Sequence, residues 1–167
     1  VAAYRKTADK HYLDSAVAYL EDWMRGSREA HYLEGTPIRV ADREHPWMPR
    51  AFWLNAAERL RGPWLDLFFV GRRSDALSDR ALLLMLRMIH NQADYVLATM
   101  RPGDDRTAIA AAALDAVGRR FPEGRRSTAG CDAAQSVLRG VAARQFAPDG
   151  VHIGMATHYE LVTLRSL

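Results

Sequence analysis

The sequence predicts an all-α protein made of antiparallel helical hairpins. Three observations carry this. Apolar residues recur at three- and four-residue spacing along most of the chain, Gly and Pro interrupt the pattern at intervals, and no stretch shows convincing strand alternation. Successive amphipathic helices with short joints pack as antiparallel hairpins, and six or seven helices are expected here. No exact repeat is visible, so a regular solenoid is not supported.

Taken in order, Val1-Ala2-Ala3-Tyr4 lies within or next to a helix. Asp9 to Arg25 is helical, with Tyr12, Ala16, Tyr19, Leu20 and Trp23 on one face and Gly26 closing it. Ser27 to Pro49 is a long irregular segment with stop signals at Gly35, Pro37 and Pro46, of the kind that is functional or wraps a neighbour. Pro49 opens a helix through Arg61, with Phe52, Trp53, Ala56 and Leu60 inward. Gly62-Pro63 breaks it, and the run from Trp64 to Val70 forms a short helix. Leu77-Ser78 starts a strong helix to Met100, with Ser78 as its cap. Pro102-Gly103 separates it from a helix over Asp104 to Arg120, and two more follow, with Leu161 to Leu167 within or next to the last.

A chain of 167 residues that is 49% hydrophobic can bury one substantial core, so a single domain is expected. No apolar run approaches the roughly 18 residues of a membrane-spanning helix. The first ten residues lack the charged end and apolar segment of a signal peptide, and without an initiator Met they suggest a processed or cut terminus. With one cysteine, Cys131, an intramolecular disulfide is excluded, and a buried bystander is the expected role. The formal net charge is +3, and all but two of the 23 basic residues are arginine. Arginine suits bidentate recognition of carboxylate, sulfate or phosphate, but arginine-favouring codons are the better explanation of the bias. The pairs Arg72-Arg73, Arg119-Arg120 and Arg125-Arg126 fall near helix ends, where cations can complement helix dipoles. No aromatic-interleaved basic patch or helix-turn-helix points to nucleic acid.

The segment from Phe121 to Tyr159 is the most informative. Phe121-Pro122-Glu123 followed by Gly124 stops a helix, and Ser127 or Thr128 can cap the next. That helix carries Ala134, Leu138, Val141 and Ala142 at helical spacing. Pro148-Asp149-Gly150 then forms a tight turn ahead of a tyrosine.

This ordered set, with Gln145-Phe146 before the turn, resembles the N-terminal domain of heparinase II/III-type polysaccharide lyases. Ala3 to Met24 resembles the family's early helix pair, and His45 to Leu60 its tryptophan-and-arginine segment at the cleft. Leu77 to Met100 resembles the long helix before the catalytic loop. The resemblance implies part of an (α/α) toroid, a piece of a longer helical array. It also implies β-elimination on an acidic, uronic-acid-containing polysaccharide, and a periplasmic or secreted setting that the residues alone do not decide. Neither the residues nor the resemblance calls for a metal or cofactor.

The site residues the resemblance implies are Tyr159 as base or acid with His158 beside it, and Asp105 or Arg106 at the position that neutralises the substrate carboxylate. Asp104, Trp47, Arg50, Trp53 and His152 are the implied substrate contacts. The family's Asn-Asn-His or Asn-Asn-Arg loop reads Asp104-Asp105-Arg106 here. Family polar positions read Ala110, Gly154, Ala156 and Glu160.

Each of these residues has a plainer reading. Asp104 or Asp105 can cap a helix after Pro102-Gly103, Tyr159 can pack on the final helix, and Trp47, Trp53 and Trp64 can fill the core instead of stacking on sugar. His152 and His158 can hold a metal with Asp149, although their spacing fits no standard zinc motif. His90 and Asp94 form an i,i+4 pair that suits helix stabilisation. A non-catalytic helical domain that binds carbohydrate or protein, and a glycoside hydrolase using Asp105 and Glu160, are the alternative functions. An incomplete toroid exposes an apolar helix face, which a homodimer or a missing C-terminal segment would cover.

Overall fold

Gly62-Pro63 illustrates how local chemistry places the helix boundaries. In the computed structural model, which describes residues 1–26, 52–100 and 107–151 (backbone alone at Phe52, Trp53 and Arg126), Gly62 leaves the helical region at φ −157° and Pro63 occupies the first helical turn. Proline's missing N–H costs nothing at that position, and its fixed φ suits helix entry. The described helices are α1 (Ala2–Thr7), α2 (Lys10–Gly26), α3 (Phe52–Arg61), α4 (Pro63–Arg73), α5 (Asp79–Thr99), α6 (Thr107–Arg120) and α7 (Arg125–Gln145). The described residues are 83% helical with no strand, so the fold is all-α.

Caps account for several boundaries. Asp9 opens α2 by accepting from the His11 N–H through Oδ1 at 2.9 Å. Ser78 opens α5 as expected, its Oγ accepting from the Ala81 N–H at 3.2 Å. At α7 the expected cap is displaced. The helix starts at Arg125 after Gly124, and the Thr128 hydroxyl donates back to the carbonyls of Gly124 (3.2 Å) and Pro122 (3.3 Å). Ser127 is buried inside the first turn. Arg125-Arg126 therefore stands at a helix N-terminus, where cations oppose the dipole, while Arg72-Arg73 and Arg119-Arg120 do lie in last turns.

The inward faces differ from the expected ones in two places. On α2 the buried stripe is Leu13, Val17 and Leu20, while Tyr12 and Tyr19 are 45% and 77% exposed. The two stripes lie about 100° apart on the helix, and burying the aliphatic one leaves both phenol hydroxyls in water. On α7, Ala134 and Val141 are buried and Leu138 packs on the core, but Ala142 faces solvent. Ala56 and Leu60 of α3 are fully buried as expected, with Ala57 beside them.

α6 lies at the centre, against α3, α5 and α7. Its residues Ala108, Ile109, Ala110, Ala111, Ala113, Leu114 and Val117 are all buried. Small side chains on so many sides let neighbouring helices approach closely. The tightest approach is at Gly118, where a Cβ would collide with the Cys131 Cβ and sit 2.8 Å from the Ser127 carbonyl oxygen. Around this centre Leu60, Leu65, Met85, Met88 and Ile89 are fully buried. Burying each such side chain is worth about 1.5–3 kcal/mol.

Phe121 pins the joint between α6 and α7. Its ring lies 5.8 Å from Phe68, 5.4 Å from Phe69 and 5.4 Å from His90, centroid to centroid. After α7, Gly150 adopts φ 85° and donates to the Ala147 carbonyl at 2.8 Å. The Ala147 N–H donates to the Val151 carbonyl at 2.8 Å, and Asp149 Oδ1 accepts from the Val151 N–H at 3.1 Å. This is the expected turn, with glycine in the left-handed region that other residues rarely adopt.

Two glycines on facing helices should respond oppositely to alanine. Gly118→Ala is expected to destabilise the protein by about 1–3 kcal/mol, because the Ser127 backbone cannot yield. Gly130→Ala meets only Leu114 Cδ2 at 3.9 Å, so helix propensity should win and stabilise it by about 0.5–1 kcal/mol. Urea denaturation midpoints of the two variants test both signs.

Candidate functional site

Contacts between α6 and α7 run in opposite sequence directions. Asp115 Oδ1 accepts from Cys131 Sγ at 3.4 Å, while Gly118, further along α6, faces Ser127, earlier on α7. The two helices are therefore antiparallel. α5 runs antiparallel to α6 as well. The His90 ring meets Phe121 at the end of α6, and a water-sized void shared by the three helices is lined by His90, Asp94 and Leu97 of α5 and by Leu114, Val117 and Ser127. It follows that the C-terminal end of α5, the N-terminal end of α6 and the C-terminal end of α7 lie at one end of the helical layer.

Those three ends flank the segments that carry most of the expected site. Asp104, Asp105 and Arg106 stand between α5 and α6, and His152, His158, Tyr159 and Glu160 follow the turn after α7. Their side chains lie outside the described residues, as do Trp47, Arg50, Gly154 and Ala156. Trp53 is on the first turn of α3, and its side chain is also outside the description. Ala110, at a family glutamate position, is fully buried in the core.

Other candidates resolve into structural roles. Trp64 is only 8% exposed and packs edge-on to Trp23 with centroids 5.2 Å apart, so it belongs to the core. His90 Nδ1 lies 2.8 Å from the Leu86 carbonyl oxygen and its ring rests on Phe121, a packing arrangement. Cys131 is half-buried, not fully buried, and contacts Asp115 and Gln135. Burial, with the Asp115 hydrogen bond and charge adding to it, raises its thiol above the ordinary value. Among the described residues no group of three His, Cys, Asp or Glu is placed to hold a metal ion.

One polar cluster is absent from the sequence-based expectations. The Arg59 guanidinium lies 5.7 Å from the ring centroids of both Trp23 and Trp64, and Nε donates to Gln92 Oε1 at 2.8 Å. Gln92 is fully buried and also donates to the Met88 carbonyl at 3.2 Å. One arginine thus ties α3 to α2, α4 and α5 through flat contacts that a lysine would not reproduce. The signal available in the sequence was Gln92 itself, a polar residue on the buried face of α5.

These features define an all-α fold of helical hairpins in which the C-terminal ends of α5 and α7 meet the N-terminal end of α6. The chain belongs to the heparinase II/III N-terminus family, whose profile matches residues 1–167. It is thereby a polysaccharide lyase-related domain. No curated protein and no solved structure matches it.

Two variants probe these contacts. Gln92→Leu removes the acceptor of the Arg59 Nε–H inside the protein and should cost about 1–3 kcal/mol, read as a lower denaturation midpoint. Cys131 alkylation by iodoacetamide should rise with pH through a midpoint above that of a free thiol. Asp115→Asn removes the carboxylate charge, one of the raising influences, and should move the midpoint down.

Proposed function

We propose that this chain is a divergent polysaccharide lyase domain, part of an α/α toroid, that cleaves a uronic-acid-containing polysaccharide by β-elimination. The observation that carries the reading is the family match over residues 1–167. The convergence of the α5, α6 and α7 ends supports it, because those ends tether the segments that hold Asp105, Arg106 and Tyr159.

The chemistry follows from the acidity of the substrate. The proton beside a sugar carboxylate is weakly acidic until the charge of that carboxylate is neutralised. Arg106 supplies a permanent positive charge for this, whereas Asp105 serves only in its protonated form. Tyr159 or the adjacent His158 takes the proton as base. The electron pair of the broken C–H bond forms a carbon–carbon double bond, the glycosidic C–O bond breaks, and the departing oxygen is protonated by Tyr159. Trp47, Arg50, Trp53, Asp104 and His152 are assigned to holding the polymer. The buried Ala110 favours a second reading, in which the same fold binds an acidic polysaccharide without cleaving it.

The test is ultraviolet absorbance of unsaturated uronate released from heparan sulfate, alginate, hyaluronan and chondroitin. Product formation that falls at least a hundredfold in Tyr159→Phe is the expected outcome, the order of one acid–base group. A saturated product would mean hydrolysis. No product from any polymer, with the helical circular dichroism intact, would leave the binding reading.

A further inference from the structure

A second recognition feature lies away from that end. Between α1, α2 and α4 runs an open groove of about 730 Å³, within the range of small-ligand sites. Leu20, Leu67 and the Trp23–Trp64 pair line it, and Tyr19, with 77% of its surface exposed, stands at its edge. Asp66 also lines it and is paired with Arg5 at 2.9 Å and with Arg120 at 3.6 Å. Those two arginines stand behind Asp66 and do not line the groove themselves, but Arg59 does, so the guanidiniums in and behind this wall outnumber its one carboxylate. Arg120 is the last residue of α6, so this side of the groove lies toward the opposite end of that helix from Thr107.

We propose that this groove is an accessory, non-catalytic site for an acidic saccharide. A pyranose ring presents an apolar C–H face, which suits the exposed Tyr19 ring and the apolar floor. Its uronate or sulfate group suits the Arg59 guanidinium in the wall and those of Arg5 and Arg120 behind Asp66, whose excess over the one carboxylate favours an anion. The hydroxyls of the sugar can reach the Asp66 carboxylate. The occupant shares its chemical class with the proposed lyase substrate, but the site is a different one and stands or falls independently. A chain held here would remain attached while another stretch of the same polymer occupies the reacting end.

The experiment titrates the full chain in the Tyr159→Phe background with a saturated heparan sulfate hexasaccharide, following tryptophan fluorescence. A saturable change is expected, weakened about tenfold by Tyr19→Ala, the order of one lost aromatic face. Arg5→Gln should weaken it further and flatten its salt dependence. Tyr19 is exposed, so its removal leaves the fold intact, as circular dichroism would verify. Absence of a saturable change, or equal affinity with and without Tyr19, would overturn the site. So would equal binding of a neutral hexasaccharide. If binding holds while no polymer yields unsaturated product, the lyase reading fails and the groove stands.

Discussion

The close approach of α6 and α7 at Gly118 is the constraint on which the rest of the structure depends. A helix surrounded by neighbours must offer small side chains on several sides, and α6 does so with alanines at 108, 110, 111 and 113. The missing Cβ at Gly118 then lets the Cys131 side chain and the Ser127 carbonyl come within contact distance. This spacing places Phe121 where it can reach Phe68 and Phe69 on α4 and His90 on α5. Close packing at one glycine thus fixes how two hairpins sit against each other, as expected of interiors packed like crystals.

Helix boundaries were legible in the sequence because backbone chemistry writes them directly. Gly62-Pro63, Ser78, Phe121 to Gly124 and Pro148 to Gly150 each act through a local dihedral or hydrogen bond, and each appears where expected. The faces were less legible. α2 carries two plausible stripes, and only the tertiary competition between aliphatic and phenolic side chains selects Leu13, Val17 and Leu20. The α7 cap was misplaced for a related reason: a serine or threonine near a helix start can accept or donate, and the sequence does not say which.

The family was legible in the order of motifs, and the match along residues 1–167 agrees with it. Arg59 was not, because an arginine on an amphipathic helix ordinarily reads as a solvated residue. Its role depends on two indoles and an amide delivered by three other helices, and no local pattern encodes such a meeting. The proposed reacting residues pose a different difficulty. Their meaning rests on correspondence with a family pattern from which Asp105, Ala110, Gly154 and Ala156 depart.

Cys131 carries a last consequence, for the surroundings in which the domain can be made. It is the single thiol of the chain, half-buried and held toward its protonated form by burial and by Asp115. Oxidation proceeds through the thiolate, so this sulfur is a slow partner for peroxide or for another thiol. One cysteine can form no disulfide within these residues, and its raised thiol pKa disfavours the thiolate that a cross-link between copies would need. The packing of these helices draws on no sulfur–sulfur bond in whatever surroundings the domain is made.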